Sequence, residues 1–184
     1  FRKALDRHRQ EVFVYLDTLD EEDLERKALV PRFKPLLEDA SKPKLGHHLK
    51  YDAHVFMNYG ITLRGIAHDT MLESYVLASY RNHGMDSLAE RLLSVKTLTY
   101  EEVCGKGASQ ICFDQVSIKR ATDYAAEDAD ITLQLHGVLH PQVDADAKLK
   151  HIYRDIEMPV MPVLHMMERN GVLLDTALLD AQSG

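Results

Sequence analysis

Neither glycine nor proline interrupts the chain from Ser117 to His136, and Ile118, Ala121, Ala125, Ala129, Thr132 and Leu133 recur there at three- and four-residue intervals. That stripe predicts one continuous helix of roughly five turns with one face toward a core. Tyr124 and Asp128 are four residues apart, so they stack on one side, at the edge of the apolar face. A carboxylate in that position is costly unless a cation neutralises it, a first pointer to a metal.

Elsewhere the pattern is shorter in period. Glu11-Val-Phe-Val-Tyr-Leu16 reads as a strand, followed at Asp17 by an acid-rich helix start. Phe33-Lys-Pro-Leu-Leu predicts a short helix, ended by the polar loop at Ser41-Lys-Pro43, and Pro43 to Asp52 holds a short strand. Helices follow over Ala53–Tyr59, closed by Gly60, over Thr70–Ala78 with Asp69 as N-cap, and over Asp86–Leu93. Thr97 to Phe113 reads as loop. His140-Pro141 with the acidic, alanine-rich bend after it predicts a boundary, and a last helix from about His151 to Asn170 carries Pro159 and Pro162, which kink it or restrict it to one side. No closing element is expected after Asn170-Gly171.

Composition narrows the picture. At 184 residues, 45% hydrophobic and 28% charged, the chain suits one globular domain with an appended piece. No apolar run reaches membrane-spanning length and no signal-peptide pattern opens the chain, so no membrane is expected and the cytoplasm is the default compartment. Cys104 and Cys112 are too few for a zinc knuckle or disulfide framework and read as free thiols. A net charge of −7 disfavours a protein that coats duplex DNA, but not a nuclease whose metal ions supply the positive charge. Gly105-Lys-Gly107 lacks the spacing of a phosphate loop and is read as a flexible loop.

Asp52 leaves a short strand and opens a helix, where sheet-based sites gather ligands. Asp52 and Asp128, with Tyr124 one turn before the second, suit hydrolysis of a phosphodiester by Mg²⁺ or Mn²⁺, which select hard oxygen ligands. Two such ions, roughly 3.5–4 Å apart, serve the attacking and leaving oxygens. A histidine-based metal protein built on His47, His48, His54 and His68 is set aside, because the adjacent His47 and His48 would point to different sides and no H-x-x-x-H pair is expected on a helix.

The motifs say more than the spacing. His48-Leu-Lys-Tyr-Asp52, Asn58-Tyr-Gly-Ile61, Arg64-Gly-Ile-Ala67, Asp69-Thr-Met-Leu-Glu-Ser-Tyr75, Asp86-Ser-Leu-Ala-Glu-Arg91 and Tyr124-Ala-Ala-Glu-Asp-Ala-Asp130 closely resemble the 3′→5′ proofreading exonuclease domain of family A DNA polymerases, in the same order and with similar spacing, over roughly residues 34–140. The resemblance implies an α/β fold, a ribonuclease H-like mixed sheet flanked by helices, and a two-metal exonuclease acting on single-stranded DNA 3′ ends beside a polymerase domain. By the same resemblance Asp128 is a direct ligand of the first metal, Asp52 acts on the second through water, and Tyr124 orients the attacking water. His48, where the family usually has Asn, and Tyr51 would hold the terminal nucleotides, and Tyr100 would stack on a base. Residues 1–145 are then the exonuclease domain, and 146–184, with Ile156-Glu-Met-Pro and Glu168-Arg-Asn-Gly-Val172, look like the start of the polymerase region.

One departure stands out. The family's first motif is a strand ending in Asp-x-Glu, which supplies the two central metal ligands. Here Val12-Phe-Val-Tyr-Leu-Asp17-Thr18-Leu19 imitates the strand, but Leu19 replaces the Glu and the segment lies close to Asp52. Either Asp17 is the remaining ligand, or the segment belongs to the loop before Lys34 and the motif lies upstream of Phe1; the spacing to Lys34 favours the second. Either way the four-carboxylate set is incomplete, and a chain without the first-motif strand is expected to leave the sheet incomplete at its N-terminal side, with an apolar edge uncovered. Two functions follow: an active proofreading exonuclease, or a non-catalytic relative that binds single-stranded 3′ ends or serves as a platform for a polymerase.

Overall fold

The computed structural model describes residues 32–173 and 176–183. The predicted strand at Glu11–Leu16 and the candidate ligand Asp17 lie outside the described residues. After a helix over residues 32–38 (α1) come β1 (Lys44–Gly46), α2 (Leu49–Asn58) and β2 (Ile66–Asp69). The strands pair in parallel, with Leu45 opposite His68 and Gly46 opposite Asp69, so β1, α2 and β2 form one β–α–β unit. Phe56 and Ile61 are buried under Phe33, Leu37 and Leu63, which fastens α1 over the end of α2.

Asp69 is the structural hinge of this unit. Its Oδ1 accepts from the backbone N–H of Met71 (2.9 Å) and Leu72 (3.3 Å), capping α3 (Thr70–Ala78) as the sequence predicts. The same carboxylate also accepts from His48 N (3.1 Å) and Leu49 N (2.7 Å), satisfying the first turn of α2. One buried side chain therefore sets the start of two helices.

The helix expected over Asp86–Leu93 is a single α turn, α4 (Met85–Leu88), that widens into a π turn over Ala89–Leu93. The loop expected between Thr97 and Phe113 contains a helix, α5 (Tyr100–Cys104), started by a capping box in which Thr99 and Glu102 exchange bonds.

The central helix, α6 (Ile118–Ala145), is longer than predicted: 28 residues, about 42 Å. It runs through Pro141, and the break falls at Asp146, whose side chain caps α7 (Ala147–His151). Leu139 and Val143, on either side of the proline, are buried, and their packing offsets the lost backbone bond. Its buried stripe joins two clusters. Ala121 packs with Val103, Cys104 and Val116, while Ile131, Leu135 and Leu139 pack with Leu88 and Ala89.

From α7 a π segment (Ile152–Glu157) runs on into α8 (Met158–Asn170), with Pro159 at the junction and Pro162 inside the helix, and Gly171 ends the helix at φ 69°. α8 returns onto α2: Glu168 pairs with Lys50 and, at 2.7 Å, with His54. Contrary to expectation a further helix follows, α9 (Thr176–Ser183). Among the described residues no helix is long and apolar enough to cross a membrane.

Candidate active site

Asp128 lies on the buried stripe of α6, at the seam between the two core clusters, with 7% of its surface exposed. Burial raises its carboxyl from the ordinary 3.8 to about 7; the hydrogen bond from Tyr124 pulls the other way, and the nearby negative charges of Asp86 and Glu127 push it further up. Both neighbouring acids are held in place, Asp86 by Thr97 Oγ1 (2.6 Å) and Glu127 by Leu98 N (2.7 Å). Oδ1 of Asp128 is buried with no hydrogen-bond partner. A buried carboxyl whose one oxygen has no hydrogen-bond partner among the described residues, beside the charges of Asp86 and Glu127, is short of a cation, and its hard oxygen donor suits Mg²⁺ or Mn²⁺.

An aromatic series leads to this point from the surface. Tyr100, 43% exposed at the start of α5, stacks on Phe113 with centroids 6.1 Å apart, and Phe113 lies 5.7 Å from Tyr124. The structure thus brings three predicted residues, Tyr100, Tyr124 and Asp128, into one group. Phe113, Asp86 and Glu127 are not singled out as site residues by the sequence. Phe113 sits in the stretch taken for loop, and nothing in its spacing marks it.

Asp52, His48 and Tyr51 form the second group, in and just before the first turn of α2. Asp52 is half-buried. His48 adopts the left-handed conformation (φ 65°), which turns the chain sharply from β1 into α2 and leaves its side chain exposed. Its ring lies 6.1 Å from that of Tyr51, itself 60% exposed. β1, which delivers this turn, packs against α6, so the two groups come from neighbouring elements.

The family model for 3′-5′ exonucleases of family A DNA polymerases matches residues 5–144. The chain belongs to this 3′-5′ exonuclease family. It is 52% identical over 165 residues to DNA polymerase I of Pseudomonas aeruginosa, covering 88% of this chain and 18% of that one. Against DNA polymerase I of Rhizobium leguminosarum it is 47% identical over 156 residues, 84% of this chain and 15% of that one. The chain therefore spans less than a fifth of the length of these relatives. Among solved structures, the polymerase domain of Pol1 from M. smegmatis, in complex with DNA primer-template and dNTP, matches with a TM-score of 0.64 and 26% identity over 91% of this chain and 25% of that one. The exonuclease domain shares the expected α/β, ribonuclease H-like architecture with that neighbour, helices flanking the parallel strand pair of the described residues.

Proposed function

We propose that this exonuclease domain shortens DNA from single-stranded 3′ ends, releasing nucleoside 5′-monophosphates, as the proofreading module of a family A DNA polymerase. The observation that carries the reading is Asp128: buried, hydrogen-bonded to Tyr124, and with Oδ1 unpartnered. Asp128 would hold one divalent ion directly, and Asp52 would act on a second through water. Bound Mg²⁺ or Mn²⁺ would supply the positive charge that offsets the phosphodiester and lowers the pKa of a water. Tyr124, tied to Asp128, would orient that water. Tyr100, stacked on Phe113 and partly exposed, suits a base, and His48 with Tyr51 offers an exposed polar and aromatic pair for the terminal nucleotides.

Residues 1–145 would make up the exonuclease domain and 146–184 the start of a polymerase region. Supporting this, the family match ends at residue 144 and the helical run breaks at Asp146. α8 also presents Val163, Met166 and Met167 outward, a surface suited to cover by further polymerase structure.

A second reading, in which Val12 to Leu19 stands at the first motif with Leu19 in place of its glutamate, is a relative that binds single-stranded 3′ ends without the chemistry. The two separate on a 3′-labelled single-stranded oligonucleotide with Mg²⁺ or Mn²⁺. Release of labelled nucleoside monophosphate, abolished by Asp128→Ala, supports the enzyme. Retained binding without release supports the non-catalytic relative.

A further inference from the structure

Two turns beyond Asp128, a second cluster of chemistry-bearing side chains surrounds Glu73, which is fully buried on α3. Its Oε1 lies 2.8 Å from His136 Nδ1, 3.2 Å from His140 Nδ1 and 3.6 Å from His68 Nδ1. The Tyr153 hydroxyl adds a fourth contact at 3.4 Å. Three imidazoles and a phenol therefore converge on one carboxylate oxygen, which has only two lone pairs. Meanwhile Glu73 Oε2 and His140 Nδ1 are buried without a hydrogen-bond partner. As a hydrogen-bond network the cluster is crowded at one atom and unsatisfied at two others, an arrangement that buried polar groups ordinarily avoid.

A single cation resolves the mismatch. One ligand atom from each of His68, Glu73, His136 and His140 lies within 4.8 Å of the others. Four ligands at zinc's usual ~2.0–2.1 Å would stand about 3.3 Å apart, which small side-chain shifts reach from here. We propose that His68, Glu73, His136 and His140 form a zinc site, separate from the exonuclease centre, that pins β2 and α3 to the long helix α6. Three imidazole nitrogens and one carboxylate select zinc or another late first-row ion over Mg²⁺. All four ligands come from protein, the mark of a structural site rather than a catalytic one.

The surroundings suit the ion. His136 and His140 are one turn apart on the same face of α6. Tyr153, whose hydroxyl accepts from Asp69 N at 3.1 Å, closes one side of the cluster. The three histidines keep 21–32% of their side-chain surface exposed, leaving a way in from solvent. Asp144 lies near enough to His140 and His68 to act on both electrostatically. The separation from Asp128 is eight residues of helix, about 12 Å, too far for the two sets of ligands to share an ion.

The test uses the full 184-residue chain carrying Asp128→Ala, so that metal at the exonuclease centre does not contribute. Chelator-treated protein is titrated with Co²⁺, read by visible absorption, and then with Zn²⁺ as competitor. The proposal expects the spectrum of four-coordinate cobalt at one ion per chain, displaced by zinc, with His136→Gln/His140→Gln losing the spectrum and binding zinc at least tenfold more weakly. His68→Phe, which leaves both α6 ligands in place, should lose the four-coordinate spectrum as well, and it carries the test if the double variant misfolds by circular dichroism. No cobalt spectrum in the parent, or an undiminished one in these variants, overturns the proposal.

Discussion

Asp128→Asn replaces a buried carboxylate by a neutral group of nearly the same shape, and its effect on the metal-free protein follows from the site. With its carboxyl at about 7 instead of the ordinary 3.8, folded Asp128 keeps a proton that the unfolded chain has already lost between those values. Stability therefore falls as pH rises through that window, by about 4 kcal/mol once pH exceeds 7. Between pH 5 and pH 8 the penalty grows by about 2.5 kcal/mol, which the Asn variant escapes. The groups facing Asp128, namely Tyr124, Glu127 and Asp86 across the packing of α4, remain in both proteins.

A control is needed because His68 titrates in the opposite sense. Burial and the neighbouring His136 and His140 lower it to about 4, so the unfolded chain binds the extra proton and stability rises with pH between about 4 and 6.5. The parent's own pH curve is blunted by these opposing slopes, whereas the difference between parent and variant isolates Asp128. In chelator-treated protein, the melting temperature of Asp128→Asn relative to parent should climb by roughly 5–10 °C from pH 5 to pH 8. Adding Mn²⁺ at pH 8 should close that gap by stabilising only the parent. A difference that stays flat with pH would refute the reasoning, since it would mean that the Asp128 carboxyl is not held short of a cation.

Three further outcomes follow. Tyr124→Phe should slow hydrolysis at least tenfold while leaving the Mn²⁺-induced rise in melting temperature intact; loss of both would make Tyr124 a structural residue. Asp69→Ala strands four backbone N–H groups, those of His48, Leu49, Met71 and Leu72, and should cost about 3–5 kcal/mol in urea denaturation, against about 1 kcal/mol if capping of α3 were its sole role. Gly65 has φ +71° and an added Cβ would meet the carbonyl oxygens of Lys42 at 2.6 Å and Ala40 at 3.0 Å, so Gly65→Ala should destabilise by about 1–3 kcal/mol, read the same way.

How far the sequence reveals these features depends on the range of the interactions. The Tyr124–Asp128 pair and the apolar stripe of α6 are local periodicities, and they are visible as such. The Asp69 cap is equally local, but its second role at the start of α2 is not, because that contact is between residues 20 and 21 apart. Pro141 reads as a boundary because the rule for proline is local, while the burial of Leu139 and Val143 that overrides it is tertiary. β2 is four residues with no alternation to detect and runs directly into a helix. α5 carries a readable signal in Thr99-x-x-Glu102, masked by the glycines that follow. His136-x-x-x-His140 is likewise a helical metal-ligand spacing open to inspection, and the expectation that no such pair lies on a helix is wrong: both residues sit on α6. Its partners His68 and Glu73 lie more than 60 residues away, and only folding brings them together.

The proposed working centre of a 3′-end nuclease is Asp128 with Tyr124. Its most direct test is a 5′-labelled single-stranded oligonucleotide incubated with Mn²⁺ and either the parent chain or Asp128→Ala, with the products resolved by length. A ladder shortening one nucleotide at a time from the 3′ end, absent with the variant, is the predicted result. Equal ladders from both proteins, or none from the parent at any Mn²⁺ concentration, would contradict it.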